Sequence, residues 1–276
     1  MKSLAHISDL HFGTEDISIA EALKRDLARQ EPALVAISGD LTQRARGAQF
    51  RAAREFLATL PRPQIVVPGN HDVPLYDVVR RFAFPLRRYC RYIASELNPF
   101  FQDSEIMLLG LNTARSLTWK SGRISAEQVD CIRERMCRGV KDRFKIVMTH
   151  HPFIPPVEDK VSAIDLVGRA ALALPVIDEC GVDLLLAGHL HHGYSGDVRT
   201  FYPATTRSII VVQAGTAISR RIRSEPNAYN VLRLDRETIE IEVRVWNGGE
   251  FAMAKRAVYR LRQSEWVLQA EQKSAA

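Results

Sequence analysis

The 276-residue sequence lacks the features that mark several large protein classes. It has only four cysteines and no Cys-x-x-Cys pair, so neither a zinc knuckle nor a disulfide framework is predicted. No run approaches the ~20 apolar residues of a spanning helix, and no apolar signal-peptide core follows Met1. We therefore expect a cytoplasmic protein. Buried, reduced thiols are expected at Cys90, Cys131, Cys137 and Cys180.

Internal repeats and low-complexity tracts are also missing. With 46% hydrophobic and 25% charged residues, the composition excludes a disordered or a membrane-spanning chain, and the length suits a single α/β domain. The net charge of +6 favours anionic partners such as phosphoesters, nucleic acid or acidic lipid headgroups.

Short apolar runs alternate with longer segments of helical periodicity, which predicts βα units around a largely parallel sheet. Strands are expected at Ser3–Ile7, Ala33–Ile37, Gln64–Val67, Glu105–Leu109, Phe144–Met148 and Asp183–Ala187. Helices are expected near Ile17–Arg29, Ala48–Thr59, Ala126–Arg138 and Arg169–Cys180.

The last part of the chain changes character, because consecutive strand-like runs are joined by turns. This pattern predicts a second, antiparallel sheet packed on the first, within one domain over residues 1–262. Residues 263–276 are predicted to form a C-terminal tail that frays from Gln269. The strands of this part are expected at Ser208–Val212, Ala228–Leu234, Thr238–Val245 and Val258–Leu261.

A segment near 75–101 is rich in arginine and aromatic residues, and it is predicted to be a helical insertion. Two interpretations stay open. The arginines are simply solvated on an amphipathic helical pair, or the segment is a cap that binds an anionic or greasy substrate. A second basic cluster, Arg220, Arg221 and Arg223, either approaches a phosphate group or forms an exposed turn.

Residues that can bind a metal ion or transfer a proton follow the predicted strands. Asp9 and His11 come directly after the first strand, where alternate residues point the same way, and Asp40 follows the second strand after Gly39. The carboxyl ends of strands are where open α/β sheets bind ligands. We therefore expect these side chains at one edge of one sheet.

The most specific block is Gly69-Asn70-His71-Asp72, after the third strand. Asn70 offers a carbonyl oxygen to a cation and His71 an imidazole, while Asp72 could accept the second N–H of His71 and fix its tautomer. Three more histidines follow later strands, and they complete the predicted metal ligands Asp9, His11, Asp40, Asn70, His150, His189 and His191. The neighbouring His151 and His192 are interpreted either as supporting the ligands from behind or as structural. Nitrogen and oxygen ligands without thiolates suit divalent manganese, iron or zinc.

This series of motifs resembles that of the calcineurin-like metallophosphoesterases, over most of the chain. The resemblance implies an α/β four-layer sandwich with two central mixed β-sheets flanked by helices. It also implies two metal ions, one held by Asp9, His11, Asp40 and His191 and the other by Asp40, Asn70, His150 and His189. Asp40 would bridge the ions, and His71 and Asp72 would be catalytic. Manganese and iron are the expected metals, with zinc as an alternative.

The motifs are most similar to those of bacterial class III cyclic nucleotide phosphodiesterases and their uncharacterised relatives. We therefore predict a phosphodiesterase in which a metal-bound hydroxide attacks small phosphodiesters such as 3′,5′-cyclic nucleotides directly. A nuclease and a lipid phosphoester or pyrophosphate hydrolase are the alternatives within hydrolysis, with nucleic acid or anionic lipid as less favoured partners. A non-catalytic interaction module on the same fold is the alternative of another class. The oligomeric state is left open, with a homodimer as one option.

Overall fold

The structure is a computed structural model, and it describes residues 1–138, 142–156, 166–221 and 225–273. The helices are α1 (Ile17–Gln30), α2 (Gly47–Ala58), α3 (Val78–Ala83), α4 (Arg87–Tyr92), α5 (Ala126–Ile132) and α6 (Ala170–Glu179). The strands are β1 (Lys2–Ile7), β2 (Leu34–Ile37), β3 (Gln64–Val66), β4 (Phe100–Gln102), β5 (Ile106–Gly110), β6 (Gly122–Arg123), β7 (Phe144–Met148), β8 (Val167–Gly168), β9 (Leu184–Ala187), β10 (Tyr194–Asp197), β11 (Ile210–Gln213), β12 (Ala228–Leu234), β13 (Thr238–Trp246), β14 (Phe251–Arg262) and β15 (Glu265–Lys273). Among the helices of these described ranges, none is long and apolar enough to cross a lipid bilayer.

Two mixed sheets form the centre of the molecule. The first has the strand order β15-β14-β13-β12-β1-β2-β3, in which β1, β2 and β3 are parallel and the later strands run antiparallel. The second has the order β10-β11-β9-β7-β5-β4, with a parallel centre and antiparallel strands at both edges. The predicted division into one parallel and one antiparallel sheet is therefore wrong, because the late strands extend both sheets. The two mixed sheets flanked by helices are confirmed.

Side-chain alternation along the strands builds the layers. In β1, Leu4 packs into the core between the two sheets, together with Leu34 and Ile146, while Ala5 and Ile7 join the core beneath α1 and α2. The outer face of the second sheet packs on α5 and α6 in the same way. Because both faces of each central strand are buried, these strands are mostly apolar, and their exceptions, such as His6 and Lys145, are buried as well.

The prediction of a frayed tail is wrong as far as Lys273. Strand β15 pairs with β14 from Arg262↔Glu265 to Lys255↔Lys273 and becomes the edge of the first sheet. Residues 274–276, which follow β15, lie outside the described residues. The extent of a single domain stays a prediction.

The cysteine prediction also needs correction. Cys137 and Cys180 form a disulfide, which joins the end of the helical turn Arg133–Cys137 to the residue after α6. Cys90 and Cys131 are free thiols, but both are half-buried rather than fully buried. The pairing has no local signal because it depends on how two helices pack on the second sheet.

Candidate metal centre

The predicted ligands meet at the carboxyl ends of strands from both sheets. Asp9, His11, Asp40 and Asn70 follow β1, β2 and β3 of the first sheet, whereas His150 and the histidines at 189 and 191 follow β7 and β9 of the second. The expectation of one edge of a single sheet is therefore wrong. The site lies at the seam where the two sheets pack, and each sheet supplies about half of it.

Five of these residues have an unusual backbone conformation. Asp9, His11, Asp40, His189 and His191 all have a positive φ, between 47° and 74°. Aspartate and histidine enter this left-handed region more readily than most residues, at a cost of roughly 1–3 kcal/mol each. Such strain persists only where the surrounding fold imposes it. The turns that carry these five side chains therefore lower the stability of the fold in order to position the side chains.

Two glycines let the loops approach closely. Gly39 has a φ of 96°, and a Cβ there would lie 2.8 Å from the Nδ1 of His150. A Cβ on Gly69 would lie 2.2 Å from the Oδ1 of Asp40. Both motif glycines are required by this contact between the Asp40 loop and its neighbours.

One carboxylate oxygen faces ligands from both sheets. Asp40 Oδ2 lies 3.8 Å from His11 Nε2 and 3.4 Å from His150 Nε2. On one side of it, Asp9 Oδ1 lies 3.4 Å from His11 Nε2 and 3.6 Å from His191 Nε2. Among the described residues, potential ligand atoms form four groups, and two of these share Asp9: Asp9 with His11 and His191, and Asp9 with Asp40 and His150. The other two are His11 with Asp40 and His71, and His150 with His151 and His189.

The remaining predicted ligands extend the second group. Asn70 Oδ1 lies 3.1 Å from His150 Nε2, and the ring of His189 lies 5.1 Å from that of His150. The backbone N–H of His189 donates to Asp9 Oδ2 at 3.0 Å, which ties the two groups together. The structure therefore brings all seven predicted ligands into one cluster.

The donor set fits divalent cations. Asp9 Oδ1 and His11 Nε2 are buried and have no hydrogen-bond partner among the described residues. Unpaired buried polar atoms are costly, and a cation would satisfy them. Carboxylate, amide and imidazole ligands without thiolate are typical of manganese, iron or zinc sites.

Hydrogen bonds orient the imidazoles. His150 Nδ1 donates to the carbonyl of Ser38 at 2.7 Å, and His191 Nδ1 bonds to the hydroxyl of Thr216 at 2.5 Å. In each ring, Nε2 is left to face the carboxylates. This arrangement is the usual support of a metal-binding histidine, and its carbonyl and hydroxyl partners were not found from the sequence.

The electrostatics of the cluster favour bound positive charge. Burial raises the pKa of Asp40, but His150 and His71 outweigh burial and hold it well below its usual range. Burial lowers the pKa of His150, but the carboxylates of Asp40 and Asp9 raise it to about 9. Burial and then His150 lower the pKa of His189 to about 3. The carboxylates that attract a proton to His150 would equally attract a metal cation.

His71 lies beside the cluster with its ring held in place. Its Nδ1 donates to the carbonyl of Gln43 at 2.9 Å, and its Nε2 lies 2.7 Å from Nη1 of Arg221. Of the predicted basic cluster, Arg221 therefore reaches the site, whereas Arg220 is exposed and pairs with Asp16 at 3.2 Å. The third arginine, at position 223, lies outside the described residues.

Asp72 does not orient His71, so that part of the sequence prediction is wrong. Its two oxygens accept hydrogen bonds from the backbone N–H groups of Leu41, Thr42 and Gly69, and from the Thr42 hydroxyl, at 2.9–3.1 Å. Burial, and then Asp40, raise the pKa of Asp72 to about 6. Asp72 holds the Asp40 loop, and the Gln43 carbonyl holds His71.

Both extra histidines have structural partners. His151 Nε2 donates to the Lys120 carbonyl at 2.8 Å, and its Nδ1 lies 2.8 Å from the Thr113 hydroxyl. His192 pairs with Glu225 at 3.0 Å.

Comparison with known proteins identifies the family of the chain. Residues 2–193 match the model of the calcineurin-like phosphoesterase family, and this range includes all seven predicted ligands. The chain belongs to the calcineurin-like phosphoesterases. It is therefore a phosphoric ester hydrolase of a metal-dependent family.

Two relatives of this phosphoesterase carry names for phosphodiester hydrolysis. A protein of Synechococcus sp. named as a probable cyclic nucleotide phosphodiesterase is 26% identical over 203 residues, which cover 70% of this chain and 74% of the relative. A glycerophosphodiester phosphodiesterase of Enterobacter lignolyticus is 34% identical over only 80 residues, or 25% of this chain and 29% of the relative.

A solved structure shares the fold of this phosphoesterase. The purple acid phosphatase PPD1 of yellow lupin superposes with a TM-score of 0.63 at 13% identity. The alignment covers 91% of this chain and 52% of the lupin chain, so this phosphoesterase spans about half the length of that enzyme.

Proposed function

We propose that this protein is a dinuclear metal-dependent phosphodiesterase that hydrolyses small phosphodiesters such as 3′,5′-cyclic nucleotides. One observation supports the dinuclear centre above all others. A single oxygen of Asp40 faces His11 Nε2 from the first sheet and His150 Nε2 from the second. A carboxylate placed in this way between two ligand groups can bridge two cations.

Each ion would have its own ligands besides Asp40. Asp9, His11 and His191 would hold one, and Asn70, His150 and His189 would hold the other. Manganese or iron fits this donor set, and zinc fits as well. A bound pair of divalent cations supplies Lewis acid chemistry, polarising phosphoryl oxygens and lowering the pKa of water.

His71 and Arg221 are the chain's own groups at the reacting phosphate. Because the Gln43 carbonyl accepts from Nδ1, the Nε2 of His71 is the atom that faces the site. In this structure Arg221 Nη1 donates to that nitrogen, so Nε2 is the unprotonated acceptor, and burial lowers the pKa of His71. Once Arg221 has turned to the phosphate, Nε2 would take up a proton and pass it to the leaving oxygen of the ester. The guanidinium of Arg221, which contacts the same nitrogen, supplies a fixed positive charge for a non-bridging phosphate oxygen.

The proposal that the substrate is a phosphodiester rests on the names of the relatives. The Synechococcus and Enterobacter proteins are named for different substrates, but both names describe a phosphodiesterase. A cytoplasmic location and a homodimeric state remain predictions.

A metal-reconstituted activity screen tests the proposal. The purified protein is loaded with manganese, iron or zinc and assayed on cyclic nucleotides, simple mono- and diesters, phospholipids and DNA, with the bound metal counted. We expect two metal ions per chain and the highest kcat/KM on a small diester. Asp40→Ala should lose both ions and the activity together, whereas His192→Ala, at a neighbouring histidine outside the ligand groups, should keep both.

Three results would contradict the proposal. Absent metal together with absent hydrolysis would assign the chain to non-catalytic interaction modules. Preferred hydrolysis of DNA, with binding that weakens steeply with salt, would assign it to nucleases. One bound ion with full activity would remove the bridging role of Asp40.

A further inference from the structure

A patch of exposed apolar side chains lies on the segment that follows the His71 block. Val79 and Phe82 of α3 are 75% and 54% exposed, and Tyr76, just before the helix, is 76% exposed. Leu117 and Trp119, from a separate loop, are 79% and 59% exposed. Single exposed apolar residues are ordinary, but a group of them marks an interaction site. We call this group, with the arginines described below, the Arg/aromatic surface.

Arg81 joins the two parts of the Arg/aromatic surface. Its guanidinium is almost fully buried and donates to the carbonyls of Pro74, Ser116 and Thr118 at 2.8–2.9 Å. It also stacks over the Trp119 ring at 4.7 Å. An arginine that is buried among backbone carbonyls holds α3 and the 116–119 loop in a fixed arrangement, so the exposed side chains form one surface.

The surface borders the metal centre on two sides. Helix α3 begins at Val78, and five residues separate it from the turn that contains His71 and Asp72. The 116–119 loop is bounded by Thr113 and Lys120, which both bond to the ring of His151 next to the ligand His150. A partner on the Arg/aromatic surface would therefore lie at the rim of the catalytic site.

The surface is basic. Of the five arginines in residues 75–93, Arg81 is buried and Arg80 pairs with Asp77, the only acidic residue of this range. Arg87, Arg88 and Arg91 form no ion pair among the described residues. Several arginines lie against aromatic rings, as Arg87 does at 5.4 Å from Phe84 and Arg91 at 5.5 Å from Tyr92. A groove of about 340 Å³ between the two short helices is lined by Arg80, Arg87, Arg88 and Arg91 together with Phe84 and Tyr92.

These properties indicate which kind of partner binds the Arg/aromatic surface. A second copy of the chain, docked through the same surface, would place one arginine cluster against the other, which like-charge repulsion opposes. A nucleic acid could stack its bases on the exposed rings, but it would leave the aliphatic side chains of Val78, Val79 and Leu117 without an apolar partner. The interfacial region of an anionic bilayer accepts both features, because aliphatic and aromatic side chains enter it while arginines bind lipid phosphates.

We propose that the Arg/aromatic surface binds the surface of an anionic membrane and holds the rim of the metal centre against it. The binding is peripheral and reversible, since it uses a few side chains and lipid-phosphate contacts. The inference goes beyond the proposed reaction, and it does not depend on which diester is hydrolysed.

Vesicle flotation of the full chain tests the inference. Vesicles are made of phosphatidylcholine alone or with phosphatidylglycerol, at low and high salt. We expect the wild-type protein to float only with the vesicles that contain phosphatidylglycerol, and less at high salt. Phe82→Ser should weaken this binding about tenfold, and Arg87→Gln roughly fivefold.

Matched controls separate this surface from general hydrophobicity and charge. Leu172 is 54% exposed, like Phe82, but lies on α6, and Arg25 is an exposed arginine on α1. Leu172→Ser and Arg25→Gln should bind vesicles like the wild-type protein. Thermal unfolding checks that all four variants are folded, and hydrolysis of a soluble diester is measured separately, so a failure of the proposed reaction is distinguished from a failure of membrane binding.

The inference is wrong if the wild-type protein does not float with anionic vesicles, or if the two surface variants bind as well as their controls. A dimer in solution that Phe82→Ser dissociates would instead make the surface an interface between copies. Tighter binding to an oligonucleotide than to vesicles, lost in the same variants, would assign it to nucleic acid.

Discussion

At the scale of single residues, Asp72 shows how a motif residue can hold two proposed metal ligands in place from outside the ligand groups. It binds the backbone of Leu41 and Thr42, directly after Asp40, and the backbone of Gly69, directly before Asn70. Two ligand loops are thereby held by one carboxylate. The residue is a positioning residue for Asp40 and Asn70.

The first prediction concerns Asp72. Asp72→Ala should weaken metal binding by about 10–100-fold, because the loops that carry Asp40 and Asn70 lose their common anchor. Isothermal titration with manganese measures the effect. His71→Ala is the matched comparison, since it should keep the metal affinity and lose turnover on a cyclic nucleotide. Equal metal affinities in the two variants would contradict the positioning role.

The second prediction concerns Asp183, which lies at the other end of β9 from the metal centre. Its carboxylate accepts from the backbone N–H of Lys145 at 2.9 Å. Burial raises its pKa to about 6, although Lys145 and Arg207 act in the opposite direction. The folded chain therefore keeps a proton that the unfolded chain releases near pH 4, and the free energy of unfolding decreases as the pH rises from about 4 to 6.

The decrease in the free energy of unfolding that Asp183 causes should amount to roughly 3 kcal/mol and should be complete by about pH 7. Asp183→Asn can still accept the hydrogen bond but cannot ionise, so its stability should fall less over the same range. Urea unfolding of both proteins at several pH values measures the difference. Parallel curves for the two proteins would show that Asp183 titrates normally.

At the scale of elements, a buried ion pair joins the first helix to the first sheet. Asp26 of α1 bonds to Arg244 of β13 at 2.6 Å and 3.0 Å, and to the Tyr229 hydroxyl of β12 at 2.6 Å. These contacts fix the helix above the strands next to β1, the strand that leads to Asp9 and His11.

The third prediction concerns this pair. Asp26→Ala should lower the free energy of unfolding by about 1.5–3 kcal/mol, because Arg244 and the Tyr229 hydroxyl lose a buried acceptor while Glu242 still pairs with Arg244. Glu250→Ala is the control, since Glu250 contacts the same Arg29 as Asp26 does but is exposed. It should change stability by less than about 1 kcal/mol. Similar losses in both variants would contradict the argument.

The elements also show what local sequence can and cannot predict. Strands β1, β2, β7 and β9 are mostly apolar runs, and each was predicted to within about a residue. Strand β15 was missed because only Trp266 of its side chains is buried, so its pairing with β14 rests on backbone hydrogen bonds. The distribution of strands between two sheets was missed because long-range pairing decides it.

The same division holds for the candidate site. Its ligand residues were predicted from motifs, because glycine, aspartate and histidine at strand ends are a local pattern. The partners that hold them, such as the carbonyls of Ser38 and Gln43 and the hydroxyl of Thr216, come from distant turns. Any residue can offer a carbonyl, so no side-chain pattern predicts those contacts.

At the scale of the whole molecule, the metal centre connects the two sheets. Asp9 and Asp40 are like charges buried close together, and cations between them would remove that repulsion. Ligands that bind only the folded state add to its stability by mass action.

The fourth prediction is that metal removal destabilises the protein. Chelation should lower Tm by about 5–10 °C relative to protein with metal at a hundred times its Kd, and added manganese should restore it. Differential scanning calorimetry measures both values. Asp40→Ala should show no response to the chelator, and a response equal to that of the wild-type protein would contradict metal binding through Asp40.

The position of the ligands at the seam between the sheets has a consequence for folding. Neither half of the chain holds a full set of ligands, because residues 9–72 supply one part and residues 150–191 the other. A complete centre can form only after the sheets have docked. The rate of metal uptake during refolding would therefore report the rate of docking. A cation added early would find only the partial set of one sheet, and the last step of assembly would be the one that creates the active enzyme.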